Sequence, residues 1–191
     1  MFQGVGYHLE FDKILKATSS FAKSEKGKEA VLSIVPLTKK EEVEKNLEIT
    51  DTFVRLLKEK QLPLESFPDV SQTLKKLSAS GVVLSPQEIL AVLKVIRQSA
   101  ILKNFFEKLE ERFSRIKFFE SRFSRFQDLR EILEKSIDDT GEILDTASPR
   151  LKSIRKNIRT ITSRIREKLE SLVNRNEDLC PDRIITERDG R

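Results

Sequence analysis

Lys152, Arg155, Lys156, Arg159 and Arg166 recur about one helical turn apart, and a row of cations at that spacing can neutralise phosphates. The affinity of such a row should fall steeply with salt. The segment that carries them, 149–175, holds nine Lys and Arg against Glu167 and Glu170, a balance of +7. The segment before it inverts the sign. Residues 127–145 hold Arg130 and Lys135 against seven acids, a balance of −5, so the formal charge of +5 for the whole chain conceals a strong asymmetry. Two outcomes stay open for the basic row: contact with a phosphate backbone, or a solvated face paired with the acidic segment beside it.

Other candidate chemistry is sparse. His8 and Cys180 are the single histidine and the single cysteine, so an internal disulfide, a zinc constellation and Ser-His-Asp or Cys-His catalysis all lack their partners. Asp138 and Asp139 suggest Mg²⁺, although adjacent carboxylates in Asp-Asp-Thr-Gly are more often turn formers that bond their own backbone. Arg-Phe-Ser-Arg occurs twice, at 112–115 and 122–125, and basic residues interleaved with aromatics can stack on single-stranded bases. The spacing of Phe113, Phe119, Phe123 and Phe126 favours a packed core instead. No Gly-x-x-x-x-Gly-Lys-Ser/Thr loop occurs, and Gly4-Val5-Gly6 follows no strand, so neither nucleotide-binding fingerprint is met. No catalytic residue and no metal ligand is assigned.

The elements that must position the cations are helices. Six Gly and six Pro in 191 residues are about half the usual share, which argues against a sandwich or a loop-rich chain. The fold expected is all-α, with at most a small hairpin near 136–145 and a strand near 183–188. Apolar spacing predicts helices over 9–21, 24–33 and 70–79, the last stopped by Gly81. Thr38 to Glu41 reads as a capping box for a helix to about Lys60 that buries Val43, Leu47, Val54 and Leu57. Ser85-Pro86-Gln87-Glu88 opens a long helix whose apolar face continues to Phe113. With no apolar run near 18 residues and no basic flank or apolar stretch at the N-terminus, the chain reads as cytoplasmic, without a membrane span.

Ser148-Pro149 starts the basic helix in the same manner. Within it Leu151, Ile154, Ile158, Ile161 and Ile165 recur at spacings of three and four, the narrow seam of a coiled coil rather than the broad face of a core helix. Such a stripe needs a partner, and self-association into a homodimer through it is expected.

Four blocks taken together resemble a known family. They are Leu9-Glu10-Phe11-Asp12-Lys13-Ile14-Leu15, Leu84-Ser85-Pro86-Gln87-Glu88, Ala147-Ser148-Pro149-Arg150-Leu151-Lys152-Ser153-Ile154-Arg155, and the closing Ile184-Ile185-Thr186-Glu187-Arg188-Asp189-Gly190-Arg191. Their order and spacing are similar to the N-terminal part of the MutS-II family, the second bacterial MutS paralogue. The resemblance implies a helical core over 1–148, a lever helix over 149–175 and the start of a clamp over 176–191. It also implies a parent protein that is an ATP- and Mg²⁺-dependent homodimer, binds branched or structured DNA and suppresses homologous recombination. A further implied role is contact with ribosomal RNA in splitting collided ribosomes, and many members carry a C-terminal Smr nuclease domain. The Walker loop and the Smr segment have no counterpart in these 191 residues. The chain is therefore expected to be a non-catalytic piece of a longer protein that binds no cofactor itself, with Lys152, Arg155, Lys156, Arg159 and Arg166 as its nucleic-acid contacts.

Overall fold

A computed structural model of the chain describes residues 10–175. The strand expected near 183–188, the segment 176–191, His8 and Cys180 lie outside the described residues. Within the described residues the fold is all-α, with eight α-helices, three short 3₁₀ turns and no strand. Two compact units divide between Glu142 and Ile143.

The first unit contains α1 (Phe11–Ser19), α2 (Glu25–Leu32), α3 (Lys40–Glu59), α4 (Ser71–Lys76), α5 (Pro86–Glu107), α6 (Ser114–Lys117) and α7 (Gln127–Ser136). Its axis is α5. The Ser85 hydroxyl accepts the Glu88 N–H at 3.2 Å while the Glu88 carboxylate accepts the Ser85 N–H at 2.9 Å, so the expected capping box forms with Pro86 at the first turn. Leu90, Leu93, Ile96, Ala100, Leu102 and Phe106 along α5 are all buried. Gln98 is buried with them, donating to the Pro63 carbonyl at 2.6 Å and accepting from the Glu65 N–H at 3.4 Å. That one side chain fastens the Pro-rich loop to the helix.

The Glu88 carboxyl is held down to about 2 from its ordinary 4.5, first by the Lys76 ammonium 2.5 Å away and then by the Ser85 N–H. A carboxyl whose folded value is depressed adds stability above its unfolded value, and that contribution is lost as pH falls through the folded value. Stability should therefore decline between pH 4.5 and about 2 partly through Glu88. Glu88→Gln should flatten that acid limb in denaturant titrations across the same window, and an unchanged limb contradicts the assignment.

Three expectations for this unit are corrected by the structure. The long helix stops at Glu107 rather than running to Phe113: the backbone leaves the helix at Lys108 (φ −86°, ψ 6°) and is extended at Glu110 (φ −64°, ψ 156°). Leu109, Phe113 and Ile116 then fold back to cover Leu102 and Phe106. Their helical spacing is genuine apolar patterning, met by a turned chain instead of a straight one. The Thr38 capping box does not form either: α3 begins at Lys40 with Lys39 as its cap and no side-chain bond to the end of the helix. An ion pair from Lys39 to Glu42 at 3.2 Å stands there instead.

The third correction concerns the buried face of α3. Ile49, Thr52, Phe53 and Leu56 pack inward, whereas Leu47, Val54 and Leu57 are exposed. Both stripes satisfy helical spacing. The inward one carries Phe53, whose ring meets Phe106 and Phe119 edge-on at 6.4 and 5.5 Å.

The hairpin expected near 136–145 is reduced to a turn flanked by single bridge residues, Ile137 and Ile143, with no strand. Asp138 donates its N–H to the Glu142 carbonyl at 3.0 Å, and Gly141 adopts φ +90° against the Gln87 side chain. The positive φ is what favours glycine there; a Cβ would also approach Gln87 Nε2 to 2.3 Å, which that exposed, flexible side chain could relieve by moving.

In the second unit a 3₁₀ turn, Asp145–Ala147, leads directly into α8 (Pro149–Arg175). Among the described residues no helix is long and apolar enough to cross a membrane.

Candidate nucleic-acid interface

α8 has 27 residues, about 40 Å of rigid rod at 1.5 Å per residue. Its start is fixed locally: the Ser148 hydroxyl accepts the Leu151 N–H at 3.2 Å, and Pro149 supplies a helical φ without needing a donor partner. From there the 3.6-residue period distributes the side chains. Lys152, Arg155, Lys156, Arg159 and Arg166 fall within an arc of about 100°, and Leu151, Ile154, Ile158, Ile161 and Ile165 within a neighbouring arc of about 80°. Cationic and apolar faces lie side by side.

The cations are not equivalent. Arg155 donates to one oxygen of Asp145 at 2.6 Å, and Arg159 approaches the other at 3.5 Å. The Asp145 carboxyl is held below its ordinary range, chiefly by the Arg155 hydrogen bond and against the opposing effect of partial burial. Lys152, Lys156 and Arg166 are exposed and make no ion pair among the described residues. Sequence reasoning counts Asp145 only as one acid of seven. Its position three residues before the Ser148-Pro149 start, where a single tight turn returns it beside the first turns of the helix, is the signal that could have found it.

The apolar arc is open to solvent as well. Ile154, Ile158, Ile161 and Ile165 are 46–57% exposed, while Leu151 is half-buried. Leu169, four residues beyond Ile165, continues the stripe past Lys168.

The remaining candidates resolve into structure. In the first Arg-Phe-Ser-Arg, Phe113 is buried, Arg112 pairs with Glu59 at 2.6 Å and Glu110 at 2.9 Å, and Arg115 pairs with Glu48 at 3.3 Å. In the second, Phe123 stacks on Phe106 at 5.8 Å, the Ser124 N–H donates to the Ser99 hydroxyl at 3.0 Å, and Arg125 is bound by Glu107 and Asn104. Phe113, Phe119 and Phe123 belong to the core, whereas Phe126, expected there from its spacing, is half exposed. Arg112, Arg115 and Arg125 are fastened by carboxylates, and Arg122 is exposed with no ion pair among the described residues.

Asp138 accepts the Thr140 N–H, the Thr140 hydroxyl and the Glu142 N–H at 2.9, 2.7 and 2.8 Å, which holds its carboxyl below the ordinary range. Asp139 pairs with Arg97 at 2.6 Å, and the same guanidinium holds Glu134 at 2.9 Å. The two carboxylates shape and anchor a turn. No group of three or more His, Cys, Asp or Glu side chains that could hold a metal ion occurs among the described residues. A shallow cleft of about 390 Å³ beside α5 brings Lys94 and Ser66 to apolar walls, with no histidine or carboxylate among its lining residues.

No family model matches the chain. Curated relatives do. The chain is 35% identical over 189 residues to the protein named endonuclease MutS2 of Geobacillus sp. (strain WCH70), a match covering 96% of this chain and 24% of the relative. Endonuclease MutS2 of Aquifex aeolicus is 31% identical over 185 residues with the same coverage, and that of Caldicellulosiruptor saccharolyticus is 37% identical over 170 residues, 86% of this chain and 21% of the relative. The chain thus spans about a quarter of the length of the curated relatives it matches. The resemblance carried by the four sequence blocks is therefore a relationship over nearly the whole of this segment.

Proposed function

We propose that this chain, a segment of the MutS2 family, acts as a non-catalytic nucleic-acid-binding lever in which the cationic face of α8 lies along the phosphate backbone of structured DNA. The observation that carries the reading is the placement of Lys152, Lys156 and Arg166 on one exposed face of a rigid 27-residue helix, without ion-pair partners among the described residues. Such contacts fix position on a duplex and read no bases, so binding is independent of sequence. In the parent protein the helix would link a clamp to an ATPase that uses ATP and Mg²⁺, and the activity served would be suppression of homologous recombination.

The test is a titration of the chain against a labelled four-way DNA junction, a linear duplex of the same composition and a ribosomal RNA hairpin, each at several salt concentrations. Expected is binding to DNA whose logarithm falls linearly with the logarithm of salt, with a slope of about −0.9 for each phosphate neutralised. Tighter binding to the RNA hairpin than to either DNA would move the reading to ribosomal RNA. Salt-independent binding, or none, would overturn it.

Homodimerisation through the seam is a second proposal, and the exposure of Ile154, Ile158, Ile161 and Ile165 favours it. Two copies of α8 laid side by side would bury these residues against one another at coiled-coil spacing. Light scattering at high micromolar concentration should report species heavier than the 22.1 kDa monomer. A strict monomer would sink the idea.

A further inference from the structure

The second unit places a carboxylate on the face that is meant to receive phosphate. Asp145 offers one oxygen to Arg155 at 2.6 Å and the other to Arg159 at 3.5 Å, and both arginines belong to the row assigned to the nucleic acid. We propose that Asp145 is an internal competitor of the phosphate backbone, occupying Arg155 and Arg159 in the free protein and being displaced from them on binding. This rests on the reading of α8 as a nucleic-acid interface and adds a device that sets the interface's strength.

The chemistry of the exchange is symmetrical. A guanidinium presents several N–H donors in a fixed planar fork, and carboxylate and phosphate oxygens are alternative acceptors for it. The exchange balances as one anion for another, with no proton transferred, because Asp145 is kept ionised by the same arginines. Geometry makes the pair displaceable: both carboxylate and guanidinium are partly exposed, and ion pairs of that kind are weak enough for a polyanion to outcompete. Location also favours it. Asp145 sits on a single 3₁₀ turn, whereas its two partners stand on the rigid helix, so a small movement of the turn would release both arginines while the row keeps its spacing.

Asp145→Asn removes the charge and keeps the shape. Against the labelled four-way junction at about 50 mM salt, the variant should bind roughly two- to tenfold more tightly, with a salt slope steeper by about one. In a background already carrying Arg155→Gln and Arg159→Gln, the same change should have a much smaller effect, because only the through-space attraction of Lys152 is left for Asp145. Equal tightening in both backgrounds would mean a general charge effect and overturn the proposal. An Asp145→Asn protein that binds like the parent, while the parent still binds in a salt-dependent manner, would overturn it and leave the interface standing. Absence of binding by both proteins would overturn the interface itself. Circular dichroism of the variant, expected to match the parent, separates release of the arginines from loss of helix.

Discussion

Phe106→Ala is expected to destabilise the first unit by about 3–5 kcal/mol, the range for truncating a large buried aromatic. The ring is the hub of the larger core. Phe53 and Phe105 meet it edge-on at 6.4 and 5.6 Å, Phe119 lies tilted at 5.7 Å, and Phe123 stacks at 5.8 Å. Those neighbours come from α3, from α5 itself and from the chain that folds back after Glu107, so the cavity left behind would be walled by three separate stretches and could not collapse on one of them. Urea titration followed by far-ultraviolet circular dichroism measures the effect. Phe106→Leu should recover most of it, since the volume removed is smaller. A destabilisation below about 1 kcal/mol for Phe106→Ala would show that this cluster is not the core and would reopen base stacking as the use of the phenylalanines.

The way these rings read in the sequence explains why some features were legible and others were not. Apolar spacing of three and four marks a helical face wherever it occurs, so α5, α8 and the all-α class followed from the pattern. The pattern is silent on where a helix turns. Leu109 and Phe113 continue the face of α5 in register, yet the backbone leaves the helix at Lys108 and is extended at Glu110, whose carboxylate is held by Lys60 at 2.6 Å and Arg112 at 2.9 Å. It is equally silent when one helix has two stripes. On α3 the set Val43, Leu47, Val54, Leu57 and the set Ile49, Phe53, Leu56 have equal local merit, and the choice between them is made by tertiary partners on α5 and α6.

The site shows the same division. The identity of the five cations and their common face are a direct consequence of helical period. Their inequality is not, because the pairing of Arg155 and Arg159 depends on a turn that returns Asp145 from ten and fourteen residues away. Charge counting found the acidic segment and its sign, yet its members have different fates. Glu134 and Asp139 are taken up by Arg97, Asp138 by its own turn, and Asp145 by the basic helix. A net charge of −5 over a stretch therefore says little about which cations it neutralises.

That inequality decides which substitutions test the interface most cleanly. Reversing Arg155 would set a new carboxylate against Asp145 and disturb the start of α8, confounding the removal of a phosphate ligand with a repelled turn. Lys152 acts on Asp145 only through space, Lys156 and Arg166 carry no bond to it, and exposed helix positions tolerate substitution with little change in stability. The triple change Lys152→Glu, Lys156→Glu, Arg166→Glu should therefore leave helicity and urea midpoint near those of the parent chain. If each cation meets one phosphate, the slope of log affinity against log salt should become shallower by about three. Affinity for the four-way junction at about 50 mM salt should fall by at least about tenfold, because a repulsion replaces each attraction to phosphate. The two readouts constrain each other. A weaker complex with an unchanged slope would mean that the substitutions had damaged folding or association and left the phosphate interface intact, and unchanged affinity together with an unchanged slope would remove the cationic face of α8 from the interface altogether.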